Sequence, residues 1–128
     1  MARQIVFTPK AAKPPPTYSQ AVKAADLVFV SGQGPFDPAT GAIVGESIQE
    51  QTRQALRNCK AIVEAGGGTM ADVVQVTVLL ANPADFAGMN EEYAKVFAAD
   101  PPARAVAKLG VELPNLLVSL LMVAQLQG

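Results

Sequence analysis

Arg104 stands in the stretch DPPARAVAKL (residues 100–109), behind two prolines and ahead of small apolar residues that alternate like a strand. A guanidinium there can pair with an exposed acid such as Asp100, or it can face a cleft and grip a small carboxylate. The second task suits arginine's rigid fork of N–H donors, which makes two parallel hydrogen bonds where lysine offers a point charge. The proline turn fixes where the arginine sits, and the apolar flanks exclude water and strengthen the grip.

The rest of the inventory narrows the chemistry. There is no histidine, so Ser-His-Asp and Cys-His nucleophile systems are excluded within the chain. A single cysteine, Cys59, leaves no internal disulfide and almost no zinc donor set, so no metal site is expected. Neither a GxGxxG nor a GxxxxGK[ST] loop occurs, and no cofactor is expected. Ten basic and eleven acidic residues are spread along the chain, without a run that would track phosphates, so nucleic acid is not an expected partner. The start MARQIVF lacks the pattern of a signal peptide, and no apolar run is long enough for a membrane span. A cytoplasmic setting without membrane attachment is the expectation.

With 128 residues the chain is long enough for one core, and residues 1–128 read as a single domain. Half of the residues are apolar, which is high for a small monomer and points to surface covered by other subunits. QIVFT (4–8) predicts a short strand and the proline-rich 9–24 an ordered loop. DLVFVSGQGPFDPATGAIV (26–44) predicts a strand followed by a hairpin arm. Ser47 and Glu50 form a capping box before a helix whose apolar face is Ile48, Thr52, Ala55, Leu56, Cys59, Ile62 and Val63, ended by GGG at 66–68. Cys59 then reads as a small core residue.

DVVQVTVLLAN (72–82) predicts a strand. Asn82 or Asp85 can cap a second helix, which places Phe86, Met89, Tyr93, Val96 and Phe97 on one side as core packing. Residues 103–109 predict another strand, VELPN (111–115) a turn, and 116–126 a last strand apolar on both faces. The economical fold is an α+β two-layer sandwich, a sheet with two helices on one face.

PPAR, VSGQGPFDPATG, NCKAIVEAGGG, DVVQVTVLLANPADFAGMNEEYAKVF and LLVSLLMVAQL, in this order over nearly the whole chain, resemble the RidA/YjgF family. The resemblance implies a chorismate-mutase-like fold with a mixed β-sheet, and a homotrimer with three clefts between subunits. It implies hydrolysis of reactive enamine or imine intermediates, of the 2-aminoacrylate/2-iminopropanoate type, to 2-keto acids and ammonia. Arg104 matches the arginine that holds the substrate carboxylate. Tyr18, Ser31 and Asn90 match other cleft positions, and the backbone at Ala105 and Val106 matches the stretch that meets the carboxylate and imine. Leu120 and Met122 of the last strand would then pack around the trimer axis.

One departure stands out. Family deaminases carry a glutamate on the last strand that activates or orients water; the ungapped match is Ser119, and aligning the LP turns makes it Leu120. Neither is acidic, and a serine is a poor general base. Beside the deaminase stand a non-enzymatic trimer that binds a small carboxylate or 2-keto acid, and the endoribonuclease or translation-inhibitor activity also attached to the family.

Overall fold

Helix α1 (Ile48–Ala65) begins where the sequence places it, and its first turn is closed on itself. The Glu50 N–H donates to Ser47 Oγ (3.1 Å) and the Ser47 N–H returns to Glu50 Oε1 (3.2 Å). These bonds satisfy donors that a helix start leaves orphaned, and they hold the Glu50 carboxyl below its usual range. All seven residues of the expected apolar face are buried, and Gly67, at φ +104°, carries the chain out of the helix. Cys59 is fully buried, and burial pushes its thiol far above the ordinary range, so it is an inert core group.

The computed structural model describes residues 2–127. Six strands follow one another as β1 (Gln4–Val6), β2 (Ala21–Ala24), β3 (Leu27–Gln33), β4 (Val73–Leu80), β5 (Ala103–Lys108) and β6 (Val118–Gln125). They form one mixed sheet in the order β1-β2-β3-β6-β4-β5, in which only the β4–β5 pair is parallel. A right-handed crossover is expected for that pair, and helix α2 (Phe86–Val96) provides the crossover. Helices α1 and α2 pack on each other, and the buried side of the sheet lies under them. The α+β reading, a mixed sheet with two helices, therefore describes the architecture.

Three local readings are corrected and one open choice is narrowed. The last four residues of the expected loop at 9–24 form β2, paired to β1 and β3. Ala and Lys carry little strand propensity, and it is the pairing partners that recruit them. Leu116 and Leu117 precede β6 instead of opening it. Asn82, not Asp85, supplies a cap: its Oδ1 accepts from the Ala84 N–H (3.0 Å) in a short 3₁₀ turn leading into α2. On α2, Met89, Tyr93 and the adjoining Phe97 are core, while Phe86 and Val96 lie exposed.

Register explains which side chains are inside. One row crosses the whole sheet on the helix side as Val6, Ala21, Val30, Met122, Val76 and Arg104. Its first five members are buried, and the sixth, on the edge strand, is open to solvent. The neighbouring row, on the opposite face, is Ile5, Val22, Phe29, Val123, Gln75 and Ala103. Leu120 and Met122 thus belong to the core beneath α1, and the outward residues of β6 are Ser119, Leu121 and Val123. The expectation that Leu120 and Met122 lie on a subunit interface is overturned by this alternation.

Among the described residues Glu92 is the one buried carboxylate, accepting from Lys95 Nζ (2.7 Å) and Arg53 Nε (3.0 Å). The bonds from Lys95 and then Arg53 hold its carboxyl below the usual range. A depressed folded-state value contributes stability above the unfolded carboxylate value of about 4.3, and that contribution fades as the pH falls further. Glu92→Gln should therefore lower stability in urea unfolding at pH 7, and the difference from wild type should shrink at pH 3.

Candidate functional site

Asp100, in the left-handed conformation at φ 47°, and the Pro101–Pro102 pair turn the chain into β5. Because β5 is an edge strand, Arg104 ends its buried row in the open, where its long side chain meets α2. Its guanidinium carbon lies 4.7 Å from the Tyr93 ring centre and 5.6 Å from that of Phe86. Its Nη1 donates to Asn90 Oδ1 (2.6 Å). Two aromatic faces and one amide oxygen hold the cation while offering it no countercharge. Among the described residues no carboxylate, Asp100 included, comes within 4.0 Å of it. The paired surface arginine considered as an alternative is thus not what forms.

Tyr93 contributes a ring that is largely buried, and burial raises its phenol's pKa, opposed by the nearby Arg104 charge. The exposed Phe86, expected in the core, has its place here instead, beside the guanidinium. Neither aromatic was singled out for the site from sequence. The signal was present in the spacing of Phe86, Asn90 and Tyr93, at i, i+4 and i+7, which puts them on one helical stripe.

The backbone at 104–106 is also informative. The Leu109 N–H donates to Leu80 O (2.8 Å), and alternation turns those of Ala105 and Ala107 toward β4 as well. The N–H groups of Arg104, Val106 and Lys108 are left on the free edge of the sheet. Of the two expected backbone contacts, Val106 therefore presents a donor at the edge and Ala105 does not. The Val106 side chain is half-buried.

Tyr18, Ser31 and Ser119 form a second group. The β3–β6 register gains a residue between Val30 and Gln33, a bulge that contains Ser31 and Gly32. Ser31 Oγ donates to Ser19 O (2.6 Å), and its N–H donates to Gln20 O (2.9 Å). Gln20, almost fully buried, reaches back to the loop: its Oε1 accepts from the Thr8 N–H (2.7 Å) and its Nε2 donates to Ala12 O (2.9 Å). These bonds hold the proline-rich loop, so that exposed Tyr18 and Gly32 line one hollow of about 250 Å³. Ser119 Oγ lies beside it, 3.0 Å from where a Cβ on Gly32 would stand. A larger residue at Gly32 would press on that hydroxyl and make it shift. Of the two positions matched to the last-strand glutamate, Ser119 lies beside this hollow and Leu120 is buried on the other face.

Within the chain the two groups do not meet. Arg104 lies on the helix side at β5, whereas Ser119 is level with Ala107 on the opposite side of the sheet. Two strand spacings of about 4.8 Å and three residues of about 3.3 Å separate their backbones. The structure brings Arg104 to Asn90, and Tyr18 to the Ser31–Gly32 bulge and Ser119. Among the described residues no group of three acidic, cysteine or histidine side chains could hold a metal, and no helix is long and apolar enough to cross a membrane.

The family model described as Endoribonuclease L-PSP matches residues 8–125. The chain belongs to this family, known also as Rid/YjgF. A RutC family protein of Pyrococcus abyssi is 48% identical over 109 residues, covering 85% of this chain and 86% of that protein. Reactive Intermediate Deaminase A, chloroplastic, of Arabidopsis thaliana is 46% identical over 103 residues, which is 80% of this chain and 55% of that longer protein. Among solved structures, Escherichia coli TdcF with bound serine superposes with a TM-score of 0.90 at 32% identity, covering 97% of this chain and 99% of that one. The Rid fold is thus shared over nearly the whole chain.

If Asn90 holds Arg104 ready for an anion, Asn90→Ala should leave the fold intact and weaken binding of 2-oxobutanoate by roughly fivefold, the worth of one hydrogen bond of about 1 kcal/mol. Titration calorimetry measures this, and an unchanged affinity would show that the amide has no part in holding the arginine.

Proposed function

We propose that this Rid protein is a homotrimer that hydrolyses small 2-imino acids and their enamine tautomers to 2-keto acids and ammonia. The observation that carries the reading is Arg104: an exposed guanidinium fixed by Asn90, Tyr93 and Phe86, with no carboxylate of the described residues to neutralise it. A carboxylate-bearing ligand supplies what the protein withholds. The relative named Reactive Intermediate Deaminase A supports the reaction class.

The trimer reading rests on the separation of the two groups and on the outer face of the sheet. Ile5 and Phe29 are exposed there, with Val22 and Val123 half-buried in the same row. Such a row is expected to be covered by another copy of the chain. Covering it would let the Arg104 edge of one protomer face the Tyr18–Gly32–Ser119 hollow of the next.

In that cleft the carboxylate lies on Arg104 and on the Val106 N–H at the free edge. Water held by the hydroxyls of Ser119 and Tyr18 adds to the imine carbon, giving a carbinolamine. The nitrogen takes a proton and leaves as ammonia with the C–N electron pair, while the hydroxyl proton is lost and the 2-keto acid forms. An imine is already electrophilic, so placing the water supplies much of the rate without a covalent nucleophile. A general base is worth about 10²- to 10⁴-fold. A serine in this position makes a slower catalyst than a glutamate would.

That same serine favours a second reading, a trimer that binds a 2-keto acid or related carboxylate without turning it over. The two separate in a coupled assay in which threonine dehydratase generates the imine and 2-keto acid release is followed. Wild type should accelerate release, and Arg104→Ala should reduce the acceleration by about 10- to 100-fold, as loss of a charged hydrogen-bonding pair costs about 1.5–3 kcal/mol. Ser119→Glu should raise turnover by about 10²-fold. If neither wild type nor Ser119→Glu accelerates release, the deaminase reading fails and the carboxylate-binding trimer stands. Light scattering tests the assembly, and a monomer would sink the shared cleft.

A further inference from the structure

The cations that are scattered in the sequence are not scattered in the fold. Arg53, Arg57 and Lys60 stand at i, i+4 and i+7 on α1, and Lys95 faces them from α2. Together they border a groove of about 330 Å³ between the helices, on the side away from the sheet. Helical spacing and the α1–α2 contact collect four basic residues that no run in the sequence announces.

The groove has a second character. Leu56, Met70 and Val96 line it, so most of its wall is apolar although its border is cationic. The single acid that lines it is Glu92, and both of its oxygens are taken, one by Arg53 and one by Lys95. Four positive charges against one negative leave the groove at +3 in a chain whose formal net charge is −1.

The donors are not used up. Arg53 meets Glu92 through Nε, and among the described bonds both of its Nη groups are left over. Lys95 spends one of three donors. Arg57 and Lys60 have no carboxylate within 4.0 Å among the described residues. Like charges gathered around apolar side chains repel one another unless an anion joins them.

From this we propose that the α1–α2 groove is a binding site for a small amphipathic organic anion, an aliphatic chain of about six to eight carbons ending in one anionic head group. The body lies on Leu56, Met70 and Val96, and the head sits between Arg57 and Lys60, within reach of the free Nη groups of Arg53. At about 30 Å³ for a water-sized unit, the groove has room for roughly ten non-hydrogen atoms. The charge pattern favours such a ligand over a nucleic acid strand. A strand needs a continuous basic track and ring faces to stack on, and the groove offers an aliphatic floor and no aromatic lining. The site is separate from Arg104, which uses other residues of α2, and does not depend on the deaminase reading.

The test uses the intact protein with hexanoate and octanoate as probes, followed by amide chemical shifts in NMR titrations. Saturable binding is expected, with shifts centred on Leu56, Met70 and Val96. Octanoate should bind about tenfold more tightly than hexanoate, since each buried methylene is worth about 0.8 kcal/mol. Arg57→Ala combined with Lys60→Ala should weaken octanoate binding at least tenfold, and Arg104→Ala should leave it unchanged. Should that double variant fold poorly, Arg57→Gln and Lys60→Gln taken singly should each weaken binding severalfold. The proposal is overturned by non-saturable shifts, by equal affinities for the two chain lengths, by loss of binding in Arg104→Ala, or by displacement of octanoate by a short single-stranded RNA at equal or lower concentration.

Discussion

A single register constraint organises this molecule. Strand β6 lies between β3 and β4, and its alternation sends Val118, Leu120, Met122 and Ala124 under the helices. A slip of one residue would turn Leu120 and Met122 out of the core and bring the Ser119 hydroxyl into it, so the register is specified. The same alternation, carried across β4, places Arg104 on the helix side and Ser119 on the other. The core and both residue groups are thus consequences of one pairing decision. Leu120 could not serve as a polar site residue without giving up its place in the core.

Around this frame, buried side-chain amides do for the loops what backbone ladders do for the strands. Gln51 donates to Asn115 O (2.8 Å) and accepts from the Leu117 N–H (2.9 Å), tying the turn before β6 to α1. Asn58 donates to Phe36 O (2.9 Å) and Gly34 O (3.2 Å), anchoring the hairpin arm after β3. Gln20 plays this part for the proline-rich segment. A buried amide left without partners costs about 1–3 kcal/mol, so each loop is held in the single arrangement that satisfies it. The hollow beside Tyr18 owes its shape to such bonds rather than to regular secondary structure.

Much of this was legible in the sequence because it is local. The capping box, the apolar face of α1, the glycines that end it and the β-branched run of β4 each carry their own signal within a few residues. Arg104 and Asn90 were recognisable from motif resemblance, and the structure joins them by a hydrogen bond. What could not be read depends on partners distant in the chain. AVKA became β2 because β1 and β3 flank it, and Phe86 left the expected core stripe because Arg104 lies across from it. The inward turn of Leu120 and Met122 needed the sheet register, which an all-apolar run does not reveal. The gathering of Arg53, Arg57, Lys60 and Lys95 needed the packing of one helix on the other.

The place of β6 in the sheet also bears on how the chain is made. Residues 118–125 are the last of the six strands to be made, yet they join the two halves of the sheet. Until they arrive, β1–β2–β3 and β4–β5 are two separate ribbons, each with an unfilled inner edge. Long-range pairing of this kind closes late, and the exposed edges before closure are where misassembly begins. A nascent chain shortened before residue 118 would therefore be two unjoined half-sheets under helices with little to pack on, prey for chaperones and proteases. The sheet is joined only once residues 118–125 are made.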